Sequence, residues 1–250
     1  MSERIITAAV IIIGNEILSG RTQDSNLREI ALTLGEWGIR VMEARVIPDI
    51  EDTIVSVVNE VRARYDYVIT TGGIGPTHDD ITAESIAKAF GVELVEHPQI
   101  AALIRKYPAA PDVLQSRLRM ARVPAGAGLV ENATGGPPAF FVGNVYVLAG
   151  VPPIMRVMLT SLRSQLIGGA VLQSRSVTAY LEESAIATPL QDLQQTHPQV
   201  EIGSYPFFEG GRVGTTLVMR STDEALLDRV VAQVEALVAT AEVRTPLPGG

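Results

Sequence analysis

From residue 5 onward, short apolar runs of strand type alternate with segments of helical period, and this alternation limits the chain to few architectures. Ile5–Ile13 is a β-branched run of strand length. Leu27, Ile30, Ala31 and Leu34 then fall on one helix face that stops at Gly38, and Arg40–Ile47 reads as a second strand. Ile54, Val57, Val58 and Val61 mark a second helix, and Asp66–Thr71 a third strand. A β-α-β-α-β order predicts a parallel sheet with helices on both faces, because right-handed crossovers place them there.

The alternation continues. Thr82 is expected to cap a helix running through Phe90 and stopping at Gly91, and another helix is expected over Pro98–Tyr107. Gly126–Phe141 is rich in Gly and Pro and predicts only short extended pieces. Val145–Leu148 reads as a strand that leads through Gly150-Val151-Pro152 into a helix around Ile154–Leu166. The composition breaks near Gly168-Gly169, which sets domains of residues 1–168 and 174–243. The second is a small α+β domain: a strand at Ser176–Leu181, a helix at Ser184–Gln195, strands at Val200–Tyr205 and Arg212–Met219 around a Gly210-Gly211 turn, and a helix from Asp223 to Ala239. Thr245–Gly250 reads as a frayed tail.

The loop after the third strand carries Gly72, Gly73, Gly75 and Pro76 just before a helix. Glycines allow close backbone approach, and successive amides near a helix start form an anion-binding concavity. A phosphate or pyrophosphate is the natural guest; a tight strand-to-helix turn is the alternative. No Lys-Ser/Thr pair follows the glycines, and His78 occupies the place of a third dinucleotide-fingerprint glycine, so neither common nucleotide motif fits.

Carboxylates sharpen this picture. Glu16 and Asp24 follow the first strand, Asp49 the second, and Asp79 and Asp80 the third, all at the carboxyl edge where open α/β sheets bind ligands. Acids beside an anion loop call for a cation, and Mg2+ held by carboxylates and phosphate oxygens meets that need. The expected site is therefore metal-dependent, with Asp49, Asp79, Asp80 and Glu16 as candidate ligands of a divalent ion. Each acid also has a structural reading: Asp80 favours the positive end of the next helix, Asp24 caps the helix near Asn26, and Asp49 makes a turn after Pro48. Arg21 and Arg45 are either phosphate contacts or solvated surface groups, and His78 is either a proton donor or a polar loop residue.

With no cysteine, the chain has no disulfide, thiolate nucleophile or thiolate-bound metal, which fits a cytoplasmic setting. The Ile5–Ile13 run is far short of the roughly 20 residues that span a bilayer. A formal net charge of −8 argues against a nucleic-acid partner.

Gly14-Asn15-Glu16-Ile17-Leu18-Ser19-Gly20, Asp24-Ser25-Asn26, Pro48-Asp49 and the stretch from Thr70 through Gly72-Gly73-Ile74-Gly75-Pro76-Thr77-His78-Asp79-Asp80 to Thr82 resemble the molybdopterin-binding domain of the MoaB/Mog proteins and the competence/damage-inducible (CinA) proteins. Gly-Pro-Thr before paired Asp, Met120-Ala121-Arg122-Val123-Pro124 and Gly150-Val151-Pro152 place the resemblance nearest CinA, over residues 5–165. It implies a three-layer α/β/α domain with a mostly parallel sheet, and a homodimer. It also implies activity at Asp49 and Asp80, and metal-dependent hydrolysis of ADP-ribose or a similar pyrophosphate. In that reading Gly72, Gly73 and Gly75 hold phosphate, Asn26, Thr71, Thr77 and Gly150 complete the ligand site, and a metal-activated water attacks phosphorus. Handling of molybdopterin during cofactor assembly and a non-catalytic nucleotide sensor are the alternatives. The segment Thr134-Gly135-Gly136-Pro137-Pro138-Ala139 and the Ala149 before Gly150 depart from the CinA pattern, the first where it could alter substrate fit. The region after Gly168 weakly resembles a KH-like domain, and the chain ends before the deamidase domain many CinA proteins carry, so deamidation is not expected.

Overall fold

The computed structural model describes residues 4–244, so the tail from Thr245 lies outside the described residues. The chain divides after Gly169 into two compact units.

The first unit contains β1 (Ile6–Ile13), α1 (Asn15–Leu18), α2 (Asn26–Glu36), β2 (Ile39–Ile47), α3 (Glu51–Arg62), β3 (Tyr67–Thr71) and α4 (Thr82–Phe90). It continues with β4 (Leu94–Glu96), α5 (Pro98–Arg105), α6 (Pro111–Leu118), β5 (Arg122–Pro124), β6 (Gly128–Val130), β7 (Ala139–Val142), β8 (Val145–Leu148) and α7 (Pro152–Ser161). Six strands form one sheet in the order β2-β1-β3-β8-β7-β6. The first four run parallel, β7 runs antiparallel to β8, and β6, antiparallel to β7, takes the direction of the first four again. β4 and β5 pair separately.

β1 explains the layering. Its residues alternate between two cores: Ala9, Ile11 and Ile13 pack with Ile54, Val58, Ile86 and Ile100 on one face, while Ala8, Val10 and Ile12 pack with Ile30, Leu34, Met155 and Leu159 on the other. A strand buried on both faces reads as an unbroken apolar run, which is what residues 8–13 are. Each fully buried Ile or Val contributes about 1.5–3 kcal/mol relative to exposure, so this strand alone anchors both helix layers. The expected three-layer α/β/α arrangement with a mostly parallel sheet is present.

Differences from the sequence expectation lie in the short elements. α6 and the strands β4 and β5 fall where no element was expected, and the Gly126–Phe141 stretch resolves into the three- and four-residue strands β6 and β7. α7 starts at Pro152, because two prolines fit the first helical turn, where an N–H would lack a partner. Thr82 does not cap α4 with its side chain. It is the first helical residue, and its hydroxyl donates instead to the Gly72 carbonyl at 2.9 Å.

The second unit holds β9 (Gln173–Ala179), α8 (Ala187–Thr196), β10 (Glu201–Glu209), β11 (Arg212–Ser221) and α9 (Glu224–Arg244). Its antiparallel sheet runs β10-β11-β9. Gly210 and Gly211 both have positive φ, 59° and 79°, as a two-residue hairpin of this hand requires. Leu227, Val230, Val234 and Val238 of α9 pack with Leu217 and Met219 of β11 in a core of its own. This is the smaller α+β unit expected from the sequence.

Candidate functional site

Because β1, β3 and β8 are neighbours running in one direction, the loops after Ile13, Thr71 and Leu148 meet at one edge. They meet at backbone distance. A Cβ on Gly72 would lie 2.0 Å from the Ile13 carbonyl oxygen, and one on Gly150 would lie 3.2 Å from the Cα of Gly72. Gly72 and Gly73 have φ of 103° and 66°, a region that side chains other than Gly rarely adopt. Only glycine allows this crossing of chains.

The same turn fixes which way the loop's polar groups are used. The Thr82 hydroxyl donates to the Gly72 carbonyl, and the Thr82 N–H donates to the Gly73 carbonyl at 3.0 Å. The carbonyls are thereby occupied by the start of α4. Among the described residues, the N–H groups of Gly73, Ile74 and Gly75 donate to no protein acceptor. All three residues line a cavity of about 510 Å³. Three successive free amides just before a helix are the chemistry of an anion cradle.

The cavity has two kinds of wall. Glu16, Thr22, Asp80, Arg119 and Arg122 supply its polar groups, while Met120, Phe140, Ile154, Met158 and Pro137 supply apolar surface. That combination suits a flat heterocycle carrying a charged group. Asp80 is held in place by the loop itself: its Oδ2 accepts the Thr77 N–H at 2.8 Å and the Thr77 hydroxyl at 2.5 Å.

The structure sorts the residues expected from the sequence. Glu16, Gly72, Gly73, Gly75, Asp80 and Gly150 line the cavity. Asn26 and Thr71 line a smaller adjoining recess of about 70 Å³, together with Glu16, Gly72 and Gly150. Thr77 and Asp79 are exposed and lie off both walls. Asp49 also lies off both walls; its carboxylate accepts the Asn15 N–H at 2.8 Å, which ties the loop after β2 to the start of α1. Asp24 takes its structural role, accepting the Asn26 and Leu27 N–H groups at 3.3 and 3.0 Å.

Arg45 is no phosphate ligand. It bonds Glu43 and, at 2.6 and 2.7 Å, Glu60, and these carboxylates hold its guanidinium well above its ordinary range. The Tyr65 hydroxyl, and after it Arg45, keeps the Glu43 carboxyl below its usual value. His78 is almost fully exposed, with its ring 4.0 Å from Asp79. Among the described residues, no three His, Asp or Glu side chains gather as a ready ion site. No described helix is long and apolar enough to cross a membrane.

Sequence reasoning missed the far wall. Arg119, Met120 and Arg122 come from the segment running from α6 into β5, where no strand or helix was expected and only the Met120–Pro124 resemblance pointed, and Asn132 from the loop after β6, where only short extended pieces were expected. Asn132 shapes the loop behind them: its Oδ1 accepts the Thr134 N–H and hydroxyl, and its Nδ2 donates to the Pro137 carbonyl. Pro137, Pro138 and Ala139, part of the segment that departs from the CinA pattern, line the cavity directly.

Known proteins share this fold. Residues 9–168 match the family described as a probable molybdopterin binding domain, and residues 171–245 match the FAD synthase middle domain. A protein of Archaeoglobus fulgidus is 33% identical over 92% of this chain and 96% of its own length. A Levilactobacillus brevis protein named "Putative competence-damage inducible protein" is 32% identical over 92% of this chain and 59% of its own length. The crystal structure of the Thermoplasma acidophilum protein CinA, titled as of unknown function, is 35% identical and covers 64% of this chain and 99% of that one, with a TM-score of 0.59. With this match over residues 9–168 and the likeness to the CinA structure, the chain belongs to the molybdopterin-binding-domain family, among its CinA members.

Proposed function

We propose that the cavity binds a phosphorylated heterocycle and hydrolyses a nucleotide pyrophosphate such as ADP-ribose with the help of a divalent ion. The observation that carries this reading is the run of free amides at Gly73, Ile74 and Gly75 beside the Asp80 carboxylate on one cavity wall. The amides receive a phosphate, and the apolar wall of Phe140, Met158 and Ile154 receives the ring.

The donor set fits a shared ion rather than a protein-only site. Mg2+ commonly takes one or two carboxylates and completes its shell with water and phosphate oxygens. Asp80 and Glu16, both on the cavity wall, suit that mode, whereas Asp49 and Asp79 lie off it. A bound ion would withdraw charge from the phosphoryl oxygens. The chain's own part is to fix the phosphate at the loop, hold Asp80 through Thr77, and keep the ring against an apolar surface.

The test is incubation of the full chain with ADP-ribose and Mg2+ or Mn2+. Release of AMP is expected. Absence of turnover across a panel of nucleotide diphosphates overturns the hydrolytic part of the proposal.

A second reading is molybdopterin binding without hydrolysis, supported by the family match over residues 9–168. It predicts that the purified protein retains a fluorescent pterin or is stabilised against heat by one, with no dependence on divalent ions.

A further inference from the structure

Two arginines on the cavity wall form no ion pair among the described residues. Arg119 opens a one-turn 3₁₀ segment, Arg119–Ala121, and Arg122 is the first residue of β5. Both side chains line the cavity and both residues are exposed. Neither forms an ion pair within 4 Å among the described residues, although Arg45, Arg64, Arg105 and Arg156 of the same unit all do. The acid facing Arg122 across the β4–β5 pair, Glu96, is taken by Arg105 at 2.8 Å.

Their backbone is firmly seated. Ala121 and Val123, which flank Arg122, are fully buried, and the His97 N–H donates to the Ala121 carbonyl at 2.8 Å. Two guanidinium groups thus rise from a firmly seated 3₁₀ turn and the strand after it, with no carboxylate within ion-pair distance among the described residues and only the longer-range field of Asp79 on Arg119, in a chain whose net charge is −8. Long cationic side chains left unpaired on a cavity wall are available to an anionic guest, and arginine binds phosphate oxygens in paired fashion.

We propose that Arg119 and Arg122 form a second anion-binding point of this cavity, so that its ligand carries a second anionic group, as a nucleotide diphosphate does and a monophosphate does not. The first anion rests on the amides of residues 73–75 and the second on guanidinium groups supplied by a different chain segment. This rests on the reading of the glycine loop as a phosphate cradle. The pair therefore acts as a selectivity element, ranking pyrophosphates above monophosphates that share the same base.

The experiment titrates the full chain with ADP-ribose and with AMP by calorimetry, in a chelating buffer, for the natural protein, the Arg119→Ala/Arg122→Ala double variant and the corresponding double Lys variant. Both side chains are exposed, so thermal unfolding of the variants is expected to match the parent. ADP-ribose affinity should fall about tenfold or more in the Ala variant. AMP affinity should change less than about threefold, and the Lys variant should recover part of the loss. If the Ala variant weakens both ligands alike, or neither, the second anion point is overturned while the phosphate cradle stands. If the natural protein binds neither probe, the cradle reading falls and this inference with it.

Discussion

The side-chain amide of Asn26 donates to the carbonyl of Gly150 at 2.8 Å, joining residues 124 positions apart in the chain. The bond fixes the first turn of α2 against the end of β8, beside the glycine crossing. Its geometry also fixes the orientation of the amide, because the flipped form would set two acceptors face to face. The Asn26 Oδ1 is consequently buried with no partner, next to the small recess.

Asn26→Asp should therefore be far worse than Asn26→Ala. Alanine loses one hydrogen bond but also removes the unpaired oxygen, at a net cost of about 1–2 kcal/mol. Aspartate places an unpaired charge against a carbonyl in a buried position and should cost about 3–5 kcal/mol. The carboxyl's folded pKa would be raised, so the gap between the variants should close as pH falls and the protonated carboxyl donates to Gly150. Urea unfolding at pH 7 and pH 5 reads both effects; equal stabilities at pH 7 would contradict them.

Two glycines at the same crossing should respond differently to one added methyl. Gly72→Ala sets a Cβ 2.0 Å from the Ile13 carbonyl, at a φ that disfavours alanine, and neither partner can retreat. A loss above about 3 kcal/mol is expected. Gly150 has no left-handed φ, and its Cβ would sit 3.2 Å from Gly72 Cα, so a shift of a few tenths of an ångström relieves it. Gly150→Ala should unfold within about 1.5 kcal/mol of the parent yet weaken AMP binding, because the shift falls on the phosphate loop. Thermal unfolding paired with an AMP titration separates the two outcomes.

What the sequence made legible follows from which residues are buried on two sides. The first strand is a long apolar run whose alternate residues feed two cores, the next two each give both cores a residue, and the sites at their ends follow from topology. Side-chain direction does not. Asp49 does lie at the end of a strand, but its carboxylate turns to the Asn15 N–H rather than to the cavity. Thr82 looks like a cap, yet the returning loop offers its hydroxyl the Gly72 carbonyl instead. Arg122 entered only as one letter of the CinA-like Met120–Pro124 segment and Arg119 not at all, because a one-turn helix and a strand of three residues have no periodicity to read and an exposed arginine is ordinary in composition.

Asp66 should make the first unit sensitive to acid. Its carboxylate accepts the Thr7 N–H at 2.9 Å and the Thr7 hydroxyl at 3.0 Å and pairs with Arg4. The Thr7 N–H is the largest cause holding this carboxyl below its ordinary value of 3.8. A depressed folded pKa contributes stability at pH values above the unfolded one, and that contribution disappears as pH falls through the folded value. Asp66→Asn should accordingly lose about 1–2 kcal/mol at pH 7 and differ little from the parent below about pH 3. Urea titrations at the two pH values check the sign, and an equal gap at both would remove Asp66 as the cause.

Asp80 combines a scaffold role with a cavity role, and two substitutions pull them apart. Its Oδ2 takes both Thr77 donors, and a Cβ on Gly75 would lie 2.6 Å from the same oxygen, so the carboxylate sits folded under its own loop. Asn at this position keeps an oxygen that can accept from Thr77 but removes the charge beside the phosphate cradle. Asp80→Asn should therefore unfold within about 1 kcal/mol of the parent and bind AMP in chelating buffer at least as well, since a like charge near the phosphate is gone. With Mg2+ it should release AMP from ADP-ribose at least about a hundredfold more slowly. Thr77→Ala makes the complementary change: the carboxylate stays and keeps the residue-77 N–H but loses the hydroxyl that also orients it, so turnover should fall by up to about tenfold while its dependence on the divalent ion persists. Turnover by Asp80→Asn at the parent rate would remove Asp80 from the chemistry and leave Glu16 as the only acidic side chain on the described wall.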